Sequence, residues 1–426
     1  MDKFIIDGGT ALKGVVTPAG NKNAALPLLA ACLLTDEAIT LHNVPFIGDV
    51  KAMRHLLESL GIEVDDLGGN SWRIVAKTVK PADLDPDMTR KIRASILLAG
   101  PMTARTGELR LPPPGGDVIG RRRVDTHILA LKKLGAEVTY GRSFQFRAKE
   151  LKGADILLDE SSVTGTENAI MAAVQAKGVT VLRNAASEPH VQELCHFLGE
   201  LGAHISGIGS NTLTIEGVDR LHGGEYTIGP DYLEVISFVG AAAVTHGEVR
   251  IKKAGWHYLD MIRMVFNRMG VDWVVDGEDI VLSPNQVLEI EPDLGGMIPE
   301  IKTNVWPAFP TDLMSIAIVI ATQAKGSILL HDWMYPSRMF FIDKLVGMGA
   351  QIVLCDPHRC IVTGPAKLFG EKVESPDIRA GMSLVLAALA ADGRSQIRNI
   401  GQIDRGYDNV DGKLRALGAK IERATE

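Results

Sequence analysis

VISFVGAAAVTHGEVRIK (235–252) is the stretch on which the fold turns. Residues 235–244 are apolar or small on every side, a turn follows at 245–247, and Val249, Arg250 and Ile251 alternate as a short strand does. A helix that is apolar all round has no face for water and belongs inside a protein. The phrase recurs as ENAIMAAVQAKGVTVLRN (167–184), SIAIVIATQAKGSILLHD (315–332) and SLVLAALAADGRSQIRN (383–399). Gly107, Gly178, Gly247, Gly326 and Gly393 mark five of the turns, and Asp36-Glu37 stands in the first copy instead.

A second phrase follows each of these: SLGIEV (59–64), KLGAEV (133–138), ELGAHI (200–205), RMGVDW (268–273), GMGAQI (347–352) and ALGAKI (416–421). Before Gly418, the residues Val410, Leu414 and Leu417 fall at i, i+4 and i+7, one helical stripe, and the glycine suits the left-handed position that ends a helix. The phrase glycines Gly61, Gly135, Gly202, Gly270, Gly349 and Gly418 are 67 to 79 residues apart. That interval divides the 426 residues into six repeats of an α/β unit, read as βαβαββ-like. Six units split into two domains of three, with a seam where Gly229-Pro230 interrupts the pattern and a second crossing near Ala19-Gly20-Asn21.

Hydrophobic residues make up 46% and charged residues 23%, as in ordinary globular chains, which excludes disorder and fibrous architectures. The formal charge of −7 opposes a broad nucleic-acid footprint, so no nucleic-acid partner is expected. Phe4-Ile5-Ile6 is too short for a signal peptide, and no apolar run approaches a membrane span, so the expected location is cytoplasmic. Cys32, Cys195, Cys355 and Cys360 are too sparse for a disulfide framework. Cys355, His358 and Cys360 form one short cluster with no second pair at zinc spacing, and Asp356-Pro357 reads as the turn of a hairpin.

Six further signatures stand out: GNKNAALP (20–27), PPGGDVIGRRRVDTH (113–127), SSVTGTEN (161–168), AFPTD (308–312), DIRAGMSL (377–384) and IDRGY (403–407). In this order, over essentially the whole chain, they resemble the enolpyruvyl transferases, in particular the branch that acts on a sugar nucleotide. The resemblance implies two inside-out α/β barrels with buried helices. On that resemblance residues 22–229 are expected to form one domain carrying a lid loop at 112–122, residues 1–21 plus 230–426 the other, with the active site in the cleft between them. It implies transfer of the enolpyruvyl group of phosphoenolpyruvate to the 3′-hydroxyl of UDP-N-acetylglucosamine, by addition and then elimination of phosphate, the first committed step of peptidoglycan precursor synthesis.

Both substrates are polyanions, and guanidinium forks match carboxylate and phosphate oxygens where an ammonium serves as a point charge. The resemblance places Lys22, Arg122 and Arg405 around phosphoenolpyruvate, with Arg93 and Arg379 as further cations and Asn23 at the reacting groups. It makes Asp312 the base for the sugar hydroxyl. Thr311-Asp312 also opens an apolar helix, so a capping role stands beside the catalytic one. Asp377 and Asp404 are expected to orient neighbouring arginines. Arg122, Arg123, Val124, Asp125 and Thr126, with Glu160, Ser161, Ser162 and Val163, match the uridine-contacting stretches, and Met334 a further backbone contact. No metal or organic cofactor is implied, since side chains supply the cations, and a monomer is expected.

The chain departs from its relatives at Asp117, where the lid tip is usually a cysteine associated with protonating C3 of phosphoenolpyruvate. A free aspartate has a pKa of about 3.9, and arginines push it lower, whereas burial beside a phosphate favours the neutral acid. Asp117 is therefore either the acid of the closed complex or an Asx-turn residue without chemistry. Gly115-Gly116 reads as a mobile tip whose N–H groups form an anion nest. Arg123 replaces a usual proline, Thr126 a leucine, and Thr164-Gly165 a Gly-Ala pair; Arg123 either pairs with a diphosphate or faces solvent. The alternatives are a transferase acting on shikimate 3-phosphate or a different UDP-sugar, and a non-catalytic paralogue that binds a sugar nucleotide.

Overall fold

All six phrase glycines end their helices in the left-handed region, with φ from 79° to 105°, where a residue without Cβ sits without strain. The computed structural model of the chain describes residues 2–80, 84–116 and 122–425. Of the five turn glycines, Gly107, Gly178, Gly326 and Gly393 have positive φ and Gly247 does not. His246 takes the left-handed conformation (φ 51°), and Gly247 is needed for space, since a Cβ there would lie 2.5 Å from the Leu12 carbonyl oxygen.

One copy shows the repeat in full. Strand Glu300–Lys302 leads to helix Met314–Gln323, strand Gly326–His331, helix Ile342–Gly347, and the hairpin strands Gln351–Asp356 and Arg359–Gly364. These strands make one sheet, in which Glu300–Lys302 runs parallel to Gly326–His331 and the other pairings are antiparallel. The hairpin turn is set by Asp356, whose Oδ1 accepts from the backbone N–H groups of His358 (2.8 Å) and Arg359 (2.9 Å). Cys355 is exposed beside it, and burial pushes the Cys360 thiol up to about 12. The described residues form six sheets, five of four strands and one of three.

Among the described residues, one unit runs from Gly20 to Gly229, and the other takes the segment through Ala19 and the chain from Pro230 onward. The N-terminal crossing falls between Ala19 and Gly20, within the Ala19-Gly20-Asn21 stretch. The cause is Asn21, whose N–H donates to the Gly229 carbonyl at 2.8 Å and whose side chain caps helix Lys22–Ala31 through the N–H groups of Asn23 and Ala24.

In the C-terminal unit, helices Tyr232–Val244, Met314–Gln323 and Ile378–Ala390 pack on one another at the centre. Every residue of Tyr232–Val244 is buried, as its composition demands. Amphipathic helices lie further out: Asp260–Asn267 buries only Ile262, Val265 and Phe266. The N-terminal unit repeats the scheme with helices Lys22–Ala31 and Val163–Ala173 and a third element, the 3₁₀ segment Arg93–Leu98 continuing into helix Ala99–Thr106. Strand Asp2–Asp7 lies between Arg394–Arg398 and Lys420–Thr425, pairing Phe4 with Ile397 on one side and Arg423 on the other. Lys13–Val16 runs parallel to Glu248–Ile251, so the N-terminal segment completes two sheets of the C-terminal unit. No helix among the described residues is long and apolar enough to cross a membrane.

Candidate functional site

In the C-terminal unit the charge centre is Asp312. It lies in a 3₁₀ turn, Thr311–Leu313, whose N-cap position is Pro310, so its carboxylate does not cap the helix. Oδ1 accepts from Arg338 at 2.8 Å and Oδ2 from Nε of Arg379 at 3.2 Å. Burial works against the charge on Arg338, but Asp312, Asp377 and Asp332 outweigh it and hold the guanidinium pKa above its ordinary value. Arg379 is raised in the same way, with burial overcome by Asp312 first. Its guanidinium also stands over the ring of buried Tyr407, whose hydroxyl meets Ser237 Oγ at 2.9 Å.

The supporting carboxylates each engage an arginine, by different means. Asp377 accepts from the backbone N–H groups of Arg379 (2.8 Å) and Ala380 (3.0 Å), so it caps helix Ile378–Ala390 and places Arg379 through its backbone. Asp404 accepts both terminal nitrogens of Arg423 at 2.8 Å, so it orients that arginine, while the adjacent Arg405 donates to Gln402 Oε1 at 2.9 Å. Met334 gives its N–H to Asp332 Oδ1 at 3.1 Å, which occupies the backbone donor at that position.

In the N-terminal unit, Lys22 opens its helix with a nearly buried ammonium, 2.8 Å from the carboxylate of Asp49. Asn23 is the only residue of that helix that is not buried. Arg93 begins the 3₁₀ segment and donates to the carbonyls of Arg122 (3.0 Å) and Arg123 (2.7 Å). Gly115 presses against helix Pro86–Lys91 and Gly116 against the 3₁₀ segment: a Cβ on Gly115 would lie 1.7 Å from the Arg90 carbonyl oxygen, and one on Gly116, 2.8 Å from Cβ of Arg93. The Gly115 N–H points to the Thr89 carbonyl at 3.4 Å, so close approach accounts for this glycine and its N–H is not turned to an anion nest. Asp117 lies outside the described residues.

Arg123 pairs with two carboxylates, Nε with Asp125 at 3.1 Å and Nη2 with Asp159 at 2.9 Å. Its side chain is 41% exposed, so it faces solvent while bridging the two carboxylates, and the hydrogen bond it donates to Asp125 chiefly holds its pKa up. Thr126, buried, donates to Asp159 Oδ1 at 2.7 Å, a bond that leads in holding the Asp159 carboxyl below its ordinary pKa. A Cβ on Gly165 would lie 3.1 Å from the Thr126 methyl, so Gly165 makes room for Thr126. Val124 packs partly on the core just before helix Asp125–Lys133. Across from these, Ser162 accepts the Gly165 N–H at 3.3 Å and caps helix Val163–Ala173, with exposed Glu160 and half-buried Ser161 leading into it.

The structure thus joins Asp312 with Arg379, Arg93 with Arg122 and Arg123, and Lys22 with Asn23, each within one unit. It adds Asp49, Arg338 and Asp159, which sequence reasoning missed. Each stands 26 or more positions from its partner, and none sits in a repeat phrase. No group of three or more His, Cys, Asp or Glu side chains suited to a metal occurs among the described residues.

Residues 6–414 match the family described as EPSP synthase (3-phosphoshikimate 1-carboxyvinyltransferase). The UDP-N-acetylglucosamine 1-carboxyvinyltransferase of Bradyrhizobium diazoefficiens is 55% identical over 424 residues, covering 100% of this chain and 98% of that one. That of Treponema denticola is 52% identical, with 99% of each chain covered. Among solved structures, the enolpyruvyl transferase NikO from Streptomyces tendae superposes with a TM-score of 0.89 at 23% identity, covering 100% of this chain and 99% of that one. EPSP synthase from Acinetobacter baumannii does so with a TM-score of 0.77 at 18% identity, covering 100% of both. The two structures establish a shared two-domain α/β fold, and the full-length sequence identity carries the rest: the chain belongs to the enolpyruvyl transferases of the EPSP synthase family, among the UDP-N-acetylglucosamine 1-carboxyvinyltransferases.

Proposed function

We propose that this chain transfers the enolpyruvyl group of phosphoenolpyruvate to the 3′-hydroxyl of UDP-N-acetylglucosamine and releases phosphate, in the cytoplasm and as a monomer. The names of its relatives support the reaction. The observation that carries the reading is Asp312 held between two buried guanidiniums, because it sets a proton acceptor beside positive charge shielded from water. Nε of Arg338 is buried with no partner among the described residues, a donor suited to an incoming anion.

On this reading the 3′-oxygen attacks C2 of phosphoenolpyruvate as its proton passes to Asp312, and C3 takes a proton from Asp117. Loss of a proton from C3 then expels phosphate. Lys22, Arg122 and Arg405 hold the donor, with Arg93 and Arg379 adding charge and Asn23 touching the reacting groups. The segments 122–126 and 160–163, with Met334, hold the nucleotide. The residues come from both units, so catalysis requires them to meet around the two substrates with water excluded.

Phosphate release, measured with phosphoenolpyruvate and each acceptor in turn, tests this. Release is expected with UDP-N-acetylglucosamine; release with shikimate 3-phosphate and none with the sugar nucleotide overturns the reading. Asp117→Asn is expected to lose turnover, and full activity in that variant removes Asp117 from the chemistry. A thiol-alkylating epoxide is expected to label exposed Cys355 and leave activity intact, since the other three cysteines are buried.

A further inference from the structure

Asn168 is fully buried, and its amide is used three times. Oδ1 accepts the Gly100 N–H at 2.6 Å; Nδ2 donates to the Ile96 carbonyl at 2.9 Å and to Nδ1 of His127 at 2.8 Å. The amide orientation follows from these partners, because an N–H must meet oxygen and a carbonyl must meet N–H. A ring nitrogen that accepts carries no proton, so His127 bears its hydrogen on Nε2 and donates to Thr164 Oγ1 at 3.1 Å. Burial, and secondarily Arg93, hold the His127 pKa down to about 3, which keeps the ring neutral. A Cβ on Gly100 would lie 2.5 Å from the Asn168 carbonyl oxygen, so the glycine lets the two helices approach closely enough for these bonds.

The knot ties three elements together: the Arg93–Thr106 segment, helix Asp125–Lys133 through His127, and helix Val163–Ala173 through Asn168 and Thr164. Each carries a proposed ligand stretch at its start. His127 follows Thr126, Thr164 follows Val163, and Arg93 clasps the carbonyls of Arg122 and Arg123. We propose that Asn168 is a positioning residue for the acceptor nucleotide: by fixing the His127 tautomer it sets the spacing between the 122–126 and 160–163 segments. This rests on the nucleotide reading given under the proposed function. Asn168 touches no substrate; it acts through His127 and Thr164.

Asn168→Asp is the sharp test, because it keeps the shape and the acceptor toward Gly100 but replaces the donor that His127 and Ile96 require. The expected result is a rise of about tenfold in KM for UDP-N-acetylglucosamine, the effect of a mispaired buried polar group. KM for phosphoenolpyruvate and kcat are expected to change by less than about twofold. Lower thermal stability with both KM values unchanged, or raised equally, makes Asn168 merely structural and overturns the proposal. If Asn168→Asp does not fold, Thr164→Val removes the far end of the knot at a half-buried position; its KM for the sugar nucleotide is expected to rise by a smaller factor, and an unchanged value counts against the proposal. Histidine ring nitrogen NMR of the unligated wild-type protein, with the signal assigned through His127→Gln, is expected to show the Nε2–H form; the Nδ1–H form overturns the assignment. Should wild-type protein release no phosphate with this acceptor, the functional reading fails instead, and calorimetric affinity for the nucleotide replaces KM in the comparison.

Discussion

Asp312 and Asp159 look alike in isolation, with side chains 29% and 32% exposed, each accepting from two side-chain donors. The arginines are what differ. Those on Asp312 are 4% and 6% exposed, whereas Arg123 on Asp159 is 41% exposed. An exposed guanidinium loses little when its partner goes, because water replaces it, but a buried one is left as an uncompensated charge. Two carboxylates of equal exposure therefore carry unequal weight, and exposure of the carboxylate alone is a poor guide to which one matters.

The comparison breaks most visibly in catalysis. Asp312→Asn is expected to lower kcat on the order of 10³-fold, the scale of a lost general base, with phosphate release as the readout, whereas Asp159→Asn acts on binding. A loss under tenfold at Asp312 removes its role as base. In stability, Asp312→Ala strands two buried guanidiniums and is expected to cost about 3 kcal/mol in denaturant unfolding. Arg123→Ala, which breaks only the exposed partner, is expected to cost less than about 1 kcal/mol and to cost still less in high salt. Equal costs at the two places erase the distinction drawn between them.

A third buried carboxylate sharpens the point through pH. Glu234 accepts the Ala19 N–H and pairs with Lys413 at 2.6 Å, yet burial dominates and pushes its pKa up to about 7. The folded state then holds the proton more tightly than the unfolded chain does. Glu234 thus favours folding most below its unfolded pKa of about 4.3, and that contribution is lost as pH rises through 7. Relative to Glu234→Gln, the wild type is expected to lose about 3 kcal/mol between those limits, measured as the pH dependence of unfolding in both proteins. Parallel curves refute the shift.

Much of the fold was legible because helix ends are local. The left-handed glycine after each amphipathic stripe, and the all-apolar helix before each short strand, need only neighbouring residues to be recognised. What local sequence does not show is why Gly247 is needed, because the reason is steric and is set by Leu12, more than two hundred positions away. The site was legible where a motif holds both partners and obscure where it holds one. Lys22 was visible, but Asp49 was not; Asp312 and Arg379 were visible, but Arg338, in YPSRMFF, has no periodic or sequence context to mark it. The means by which Asp377 holds Arg379 was not legible, since its donors are backbone N–H groups two and three residues on.

The place of strand Asp2–Asp7 between Arg394–Arg398 and Lys420–Thr425 bears on how the protein is made. A ribosome delivers the Gly20–Gly229 unit as one uninterrupted stretch, free to settle while translation continues. The opening strand has no such luck in timing. It leaves the exit tunnel with Phe4 and Ile6 uncovered and must wait for nearly the whole message to be read before its neighbours exist, which makes that short segment a natural handle for chaperones during synthesis.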